Sequence, residues 1–410
     1  MKKASIISIG NELLSGDGLD TNSRWLIKQL MPMGIPTVSI SIVGDDISMI
    51  SDAISQAASY CEIILITGGL GPTEDDLTRY AVADFLGAEL TLRDRVLRQI
   101  GAFFKNRNIT MNKINKIQAY FPEGAKVLDN SSGTAPGMMS NYHDKLIVAM
   151  PGVPSEMKPM FTEYVAGEVE KYGHGQVIVT GKVKCFGTCE SVIAGKLGDI
   201  MGRASSPLVN CTVSGGIITL HIVATAPTEA RAQEMIDTQT HEICALLGDI
   251  VYCTEDKTLA QVVADELKKW KKTICVAESC TGGLLAKTLT DMPGATEYFM
   301  QGWVTYCNEA KISQLGVDRK TIEEHGAVSE QVALEMAHGA RKNADTDVAI
   351  AITGIAGPGG RTEQKPVGLV YIAVETQTAR NVHRFVFSYS REYVRQRAVL
   401  TALNLLRLEL

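Results

Sequence analysis

The chain lacks most of what would take it out of the ordinary globular class. Aromatic residues make up 6% of it, proline only 13 of 410 positions, and no apolar run is long enough to span a bilayer. The first apolar run, 4–10, is closed by Asn11-Glu12, which is too short for the core of a signal peptide, so a cytoplasmic protein is expected. Basic surplus is absent: the net charge is −6, which removes the electrostatic footprint of a nucleic-acid binder. There is no C-x-x-C pair, and nine scattered cysteines, mostly in apolar strand-like segments, read as a reduced set rather than a disulfide framework. Cys185, Cys189, Cys211 and His221 are spaced too loosely for a zinc site and are expected to pack. What is abundant is glycine, 37 residues. Glycine without proline points to tight strand-to-helix turns, where α/β proteins hold phosphate-bearing ligands.

At about 150 residues per domain, the length suggests two to three domains. Residues 4–10, 36–43 and 62–67 read as buried strands separated by helices over 21–34 and 46–60. That alternation predicts a parallel sheet covered by helices, with ligand sites beyond the carboxyl ends of its strands. A further strand, 145–150, runs into Pro151-Gly152-Val153-Pro154-Ser155-Glu156. The loops 10–12, 68–73 and 151–156 are therefore expected on one edge. From 176 to 253 the pattern becomes a small α+β module, with helices near 188–197 and 228–247. It contains Gly195-Lys196-Leu197-Gly198, formally the G-x-x-G of a KH loop, but carries more acidic than basic residues, so a spacer is favoured over RNA binding. After Thr258 the α/β pattern restarts, with strands at 273–277, 347–353, 366–375 and 381–388. Helices lie at 259–272, 308–315 and 329–343, and a last one is capped by Ser390. The expected domains are 1–170, 171–255 and 256–410.

In the first domain, Gly68-Gly69-Leu70-Gly71-Pro72-Thr73-Glu74-Asp75-Asp76 follows a strand and precedes a helix over 77–86. Glycines allow close backbone approach to a phosphate, Thr73 can donate, and Asp75 and Asp76 can hold a divalent metal. The same residues also suit a plain tight turn with acids in the first turn of a helix.

In the last domain, Ser279 lies between a strand and the helix opened by Gly282-Gly283. Its hydroxyl should project at the sheet edge, with the N–H groups of 281–283 (Thr281, Gly282, Gly283) free to form an oxyanion hole, or it simply caps the helix. No histidine sits in an obvious catalytic position; His325 and His338 fall in or beside helices. Lys311, near the start of a helix capped by Asn308, is the alternative base, since burial or a neighbouring cation lowers a lysine pKa; otherwise it is a solvated surface lysine. The loop 353–360, with Thr353, Gly354 and Gly357, is a natural phosphate cradle. Arg391, Arg395 and Arg397 head the final helix, and Arg395 is the preferred phosphate partner, with a surface arginine as the equal alternative. Cys280 competes with Ser279 as nucleophile.

Ile9-Gly10-Asn11-Glu12-Leu13-Leu14-Ser15-Gly16, the 68–76 loop and Met150-Pro151-Gly152-Val153-Pro154-Ser155-Glu156-Met157 together resemble the molybdopterin-binding-like domain at the head of the CinA family (competence/damage-inducible protein A). Glu278-Ser279-Cys280-Thr281-Gly282-Gly283, Thr305-Tyr306-x-Asn308-Glu309-Ala310-Lys311, His325-Gly326-Ala327-Val328-Ser329, Thr353-Gly354-Ile355-Ala356-Gly357-Pro358 and Lys365-Pro366-Val367-Gly368 closely resemble its C-terminal domain. The resemblance implies a molybdopterin-binding-like α/β domain, a KH-like α+β module and an α/β deamidase domain. It implies metal-dependent hydrolysis of ADP-ribose to AMP and ribose 5-phosphate at the first site; residue chemistry then puts Asn11, Glu12, Gly68, Gly69, Gly71 and Thr73 on the substrate and Asp75 and Asp76 on the metal or water, with Glu156 as a third acidic candidate. It implies deamidation of nicotinamide mononucleotide (NMN) at the second, with Ser279 as nucleophile and Tyr306 and Lys311 as its partners. The cofactor expected at the first site is Mg, Mn or Co, with K+ as a further candidate, and none is expected for the deamidase. A homodimer is expected, without membrane or nucleic-acid partners. The alternatives are a non-catalytic competence-associated interaction protein and a molybdopterin-binding module that hydrolyses nothing.

Overall fold

The computed structural model describes residues 2–173, 175–388 and 390–410. The chain divides into two compact units, Met1–Val179 with Val223–Ile236, and Thr180–Ile222 with Asp237–Leu410.

The first unit begins β1 (Ala4–Ile9), α1 (Asn11–Ser15), α2 (Thr21–Leu30), β2 (Thr37–Val43), α3 (Ile47–Tyr60), β3 (Ile63–Thr67) and α4 (Thr78–Leu86). It continues through β4 (Leu90–Leu92), α5 (Asp94–Lys105), β5 (Tyr120–Pro122), β6 (Lys126–Leu128), β7 (Gly137–Tyr142), β8 (Lys145–Met150), α6 (Pro154–Met160) and α7 (Ala166–Glu170). Six strands form one sheet in the order β2-β1-β3-β8-β7-β6. The ladder is parallel from β2 to β8 and antiparallel through β7 and β6. Strands β1 and β3 are buried along their whole length, as unbroken apolar runs require in a sheet covered on both faces. One face packs Ile64 and Ile66 on Ile50 and Ile54 of α3, and the other packs Leu65 and Val148 on Leu26 and Leu30 of α2. Helix α2 is started by the Asp20 carboxylate, which accepts from the Ser23 N–H, and it stops at Leu30, short of the expected 34, because Gly34 takes a left-handed φ of +70° and Pro36 follows. Helix α5 was not anticipated from the sequence.

The middle strands β9 (Val177–Cys185), β10 (Leu208–Ser214), β11 (Ile217–Ala226) and β12 (Val251–Cys253) form a sheet in the order β10-β11-β9-β12, with helices α8 (Glu190–Leu197) and α9 (Glu229–Leu247). Gly195 lies inside α8 and Gly198 ends it.

The remainder runs α10 (Leu259–Lys269), β13 (Ile274–Glu278), α11 (Leu284–Thr290), β14 (Phe299–Val304), α12 (Asn308–Leu315), α13 (Arg319–His325) and α14 (Glu330–Ala344). It closes with β15 (Val348–Gly354), β16 (Leu369–Glu375), β17 (Arg380–Val386) and α15 (Arg391–Glu409). The sheet order is β14-β13-β15-β16-β17, parallel among the first three and antiparallel after β15. A Thr258–Gln261 capping box starts α10, and Ser390 caps α15 as its sequence position predicts. Asn308 does not cap α12; Cys307 occupies that position and Asn308 is the first helical residue. No described helix is long and apolar enough to cross a membrane.

Candidate active sites

Central strand β13 ends in Glu278 and delivers Ser279 to the carboxyl edge of its sheet. The Ser279 N–H donates to Ile352 O at 2.9 Å, and Glu278 O accepts from the Thr305 N–H at 2.9 Å, so the nucleophile loop is tied to both neighbouring strands. The neighbouring edge strand β14 leads into Thr305-Tyr306-Cys307 and α12, which brings Lys311 underneath. The Lys311 ammonium donates to Ser279 Oγ at 3.1 Å, to Thr305 O at 2.7 Å and to Tyr306 O at 3.3 Å. The lysine is 1% exposed, and burial pulls its pKa below that of an ordinary lysine, against an opposing effect of the Cys307 and Cys280 thiols. Lys311 is therefore no surface residue: a buried amine within hydrogen-bond reach of a serine is the geometry of a nucleophile and its base.

Glu278 was overlooked as a site residue, and the loop is built on it. It is fully buried, and its carboxylate accepts from the N–H groups of Gly283, Leu285 and Ala286 at 3.0, 3.0 and 2.8 Å, where α11 presents its unpaired donors. A strand-terminal glutamate followed within eight residues by a glycine pair and a helix was the available signal. Gly282 and Gly283 have φ of +60° and +91°, left-handed values that let the chain turn back over this carboxylate. These bonds correct the oxyanion assignment. The Gly283 N–H is spent on Glu278 and the Gly282 N–H on Ser279 O, whereas the N–H groups of Cys280 and Thr281 donate to no other described residue. The hydroxyls of Thr281 and Thr305 are buried without a partner. Unpaired buried donors are costly, and two of them beside a serine and a lysine mark a place for a polar ligand.

The other expected residues divide. Arg395 clamps Thr281 O through Nε and Nη2 at 3.2 and 2.7 Å, and Arg391 bridges Gly357 O and the Tyr306 hydroxyl, each at 2.9 Å. Tyr306 is 60% exposed, and its ring oxygen faces Arg391 rather than Ser279. Arg397 points elsewhere, to Gly216 O at 2.9 Å and over the Phe186 ring, and is not available to a ligand phosphate. Thr353 is buried and its hydroxyl donates to Ala327 O at 2.8 Å; Gly354 packs against Cys280 and Leu369. His338 engages Glu375 and His325 is the last residue of α13, so neither is bonded to Ser279. Cys280 is 5% exposed and burial pushes its thiol up to about 11, which disfavours the thiolate a cysteine nucleophile needs.

In the first unit the three expected loops do meet. Gly10, Glu12, Asp45, residues 68–72, Asp75, Asp76, Pro151, Gly152 and Glu156 line one cleft of about 620 Å³ beyond the ends of β1, β3 and β8. Gly68 has φ +105°, and a Cβ there would lie 2.2 Å from Ile9 O, so only glycine lets the two loops approach. The donors expected for a diphosphate are partly spent. Asp76 accepts from the N–H of Gly71 and Thr73 at 2.7 and 2.8 Å and from the Thr73 hydroxyl at 2.5 Å. The Gly68 N–H donates to Met150 O, and the Asn11 amide and N–H interlock with Asp45. Arg79, which the sequence gave no reason to select, is 1% exposed and holds the carbonyls of Leu70 and Gly71 from behind at 2.6 to 3.1 Å. Asp76 is thus a loop brace rather than a free metal ligand. Glu156 accepts from the Asn130 side-chain amide at 2.7 Å. Burial, together with the negative charges of Asp75, Glu12 and Asp76, raises the Asp45 pKa against the lowering effect of the Asn11 N–H. Among the described residues no three His, Cys, Asp or Glu side chains converge as a metal-binding group, so Asp75, Asp76 and Glu156 do not form a ready ligand set. Of the cysteines, Cys189 and Cys307 are exposed rather than packed, each at a helix N-cap; Cys211 contacts Glu190, and His221 contacts Thr212.

Three stretches of the chain match described families: residues 5–171 the probable molybdopterin binding domain, 181–253 the damage-inducible protein CinA KH domain, and 256–410 the CinA C-terminal domain. Over its whole length the chain is similar to a competence-damage inducible protein of Caldicellulosiruptor saccharolyticus, 41% identical over 404 residues that cover 98% of each chain. It is also similar to one of Clostridium perfringens, 42% identical over 409 residues, covering 100% of this chain and 99% of the relative. A crystal structure of a competence/damage inducible protein from Agrobacterium tumefaciens is 41% identical, with a TM-score of 0.36, over 36% of this chain and 91% of that one.

Proposed function

For a chain that belongs to the competence-damage inducible (CinA) family, as end-to-end relatives at 41% and 42% identity establish, we propose that the domain holding Ser279 deamidates NMN to nicotinate mononucleotide and ammonia. The observation that supports it most is the buried Lys311 amine 3.1 Å from Ser279 Oγ, beside two uncommitted N–H groups. Ser279 Oγ attacks the carboxamide carbon while its proton passes to neutral Lys311. The oxygen that gains negative charge is met by the N–H groups of Cys280 and Thr281. As the C–N bond breaks, Lys311 returns the proton to the departing nitrogen, and ammonia leaves an acyl ester on Ser279. Water, giving a proton to Lys311, then adds to the ester carbon, and as the bond to Ser279 breaks Lys311 passes that proton to Oγ, which restores the serine hydroxyl and the neutral amine and releases the acid. Tyr306 is held by Arg391, and the loop 353–360 takes the substrate phosphate together with the Arg395 Nη1, the guanidinium nitrogen not committed to Thr281 O. Purified protein should release ammonia from NMN, and Ser279→Ala should lower the rate at least about a thousandfold. No ammonia from the wild type, or undiminished release from Ser279→Ala, overturns the assignment.

The cleft of the first unit supports a second activity, hydrolysis of ADP-ribose to AMP and ribose 5-phosphate. The supporting observation is the convergence of three glycine-bearing loops on one cavity large enough for a nucleotide. The carboxylates do not form a ligand set for a resident metal, so this reading rests on the cavity alone. AMP formation from ADP-ribose, with and without added divalent cation, tests it. Binding without turnover would favour the pterin-holding alternative.

A further inference from the structure

Acids and bases are unevenly placed in the first unit. Asp94 and Glu123 are consecutive carboxylates, so residues 95–122 hold none, in a chain with 46 Asp and Glu among 410 residues. Arg93, Arg95, Arg98, Lys105, Arg107, Lys113 and Lys116 stand against Asp94 alone, which gives 93–116 a net charge of +6. The negative total of the whole chain conceals this surplus. The fold gathers it into one arm. Helix α5 leads away from the β4–β5 pair, and a 3-10 helix, Lys113–Ala119, packs back on α5, with the Arg93 N–H donating to Ala119 O at 2.8 Å at the root. Arg95, Arg98 and Lys105 are exposed on the face of α5 opposite buried Val96 and Ile100, and Arg107, Lys113 and Lys116 are exposed on the connection and the return. Of the seven cations only Arg95 has a carboxylate partner among the described residues, Asp129 at 2.9 Å. Like charges gathered without counter-ions repel one another, and a polyanion relieves that repulsion.

We propose that this arm binds single-stranded RNA. Its exposed cations take the phosphates, the part of the partner that carries charge and no sequence. The tip of the arm selects the kind of polyanion. Arg107 is exposed, and its guanidinium lies over the Phe103 ring at 3.6 Å from the centroid, so it offers a backed plane on which an unpaired base can stack. A duplex keeps its bases stacked on each other and has none to give. Asn106, Asn108 and Thr110 are exposed between the cations, and their side-chain oxygens accept hydrogen bonds as well as the phosphates do. Acceptors are useless to a phosphate but suit the ribose 2′-hydroxyl, a donor that DNA lacks. An anionic bilayer or an acidic protein surface would answer the cations and leave the stacking plane and these acceptors idle.

Fluorescence anisotropy of a labelled oligouridylate, titrated with the full-length protein, tests this. Binding should saturate at about 50 mM salt and weaken about fifty-fold at about 200 mM, as roughly four phosphate contacts require. Lys113→Glu combined with Lys116→Glu should bind at least about tenfold more weakly and with a shallower salt slope. Arg24→Glu combined with Lys28→Glu, an equal change of charge at exposed positions of α2, should bind as the wild type does. Far-UV circular dichroism of both double variants should match the wild type. Arg107→Lys keeps the charge and loses the plane, so affinity should fall while the salt slope stays unchanged. Oligothymidylate of the same length should bind several-fold more weakly than oligouridylate. The proposal is overturned by a wild type that binds no oligouridylate at low salt, by undiminished binding in the Lys113 and Lys116 variant, or by an equal loss in the α2 variant. Thymidylate bound as tightly as uridylate, or phosphatidylglycerol vesicles that strip the uridylate from the protein, overturns it as well.

Discussion

Two glycine loops leave buried strands in this chain, 68–73 after β3 and 279–283 after β13, and they spend their hydrogen bonds differently. Both are braced by a charged side chain lying in or behind the loop. In the first, Asp76 takes the N–H groups and hydroxyl that a ligand would use, and Arg79 takes the carbonyls. In the second, Glu278 takes only donors past the loop's tip, which leaves the Cys280 and Thr281 N–H groups and the Thr281 hydroxyl free next to the nucleophile. Similar motifs thus yield a loop that is closed on itself and one that is poised to act. The second is the better-supported catalytic site because its groups are uncommitted, not because its sequence is richer in reactive residues.

The sharpest way to break this contrast is at Lys311. Lys311→Arg keeps the positive charge but has no accessible neutral form, so NMN turnover should fall at least about a thousandfold while substrate binding changes little. In the wild type, kcat should rise with pH along a limb centred below the ordinary lysine value of 10.5, because only the neutral amine accepts the Ser279 proton. The same burial sets the sign for stability. The folded chain releases this proton at lower pH than the unfolded chain, so the penalty of burying the charge is present below the depressed pKa and is relieved as pH rises from there to 10.5. An activity limb at the ordinary lysine pKa would mean that Lys311 is not the base.

A smaller effect separates the two braces. Glu278→Gln leaves an amide, with one acceptor oxygen, facing three N–H donors, and should cost on the order of 3 kcal/mol of stability because its site is fully buried. The displaced 279–283 loop should lower kcat more than it raises KM, since Glu278 positions the nucleophile without touching substrate. Asp76→Asn, partly exposed, should cost only about 1 kcal/mol and leave NMN turnover unaltered. Its effect should appear as faster amide exchange at Gly71 and Thr73, the residues whose N–H groups it holds. Equal losses of NMN turnover from the two variants would remove the distinction between the loops.

What could be read from sequence and what could not follows the range of the interactions. Strands such as 62–67 and 273–277 are legible because each holds an unbroken apolar run, 63–66 and 274–277, and the loops after them are legible from glycine. Ser279 and Lys311 were identifiable by residue type and position, but their contact spans 32 residues and exists only because β13 and β14 are neighbours. Arg79 and Glu278 were invisible as braces for the opposite reason. Their partners are backbone atoms, which carry no residue identity, so for Arg79 nothing in the sequence marks the role and for Glu278 only its place between a strand and a glycine pair does. Helix α5 went unread although Val96, Leu97, Ile100, Phe103 and Phe104 recur at helical spacing and fall on one face, so here the signal was in the sequence. Of the three expected oxyanion donors Thr281 keeps a free N–H, but Gly282 and Gly283 do not, since a glycine pair suggests free N–H groups and cannot show that the Ser279 carbonyl and a carboxylate from the preceding strand have already claimed them.

The smallest expected effect concerns the residue beside the nucleophile. Cys280 shares the loop with Ser279, yet its thiol is pushed up to about 11 by burial, so at neutral pH only on the order of one molecule in ten thousand would carry the thiolate. Its side chain packs toward Gly354, where an added Cβ would come within 3.1 Å of the sulfur. Cys280→Ala should therefore keep kcat within a few fold of wild type, the cost being a small void rather than a lost nucleophile. In the folded protein a thiol reagent should label Cys189 and Cys307, the exposed cysteines, before Cys280, and Cys189 first because the Ser191 hydroxyl lowers its pKa. A loss of activity in Cys280→Ala as deep as that in Ser279→Ala would move the nucleophile by one residue, and with it the partner for which Lys311 is buried.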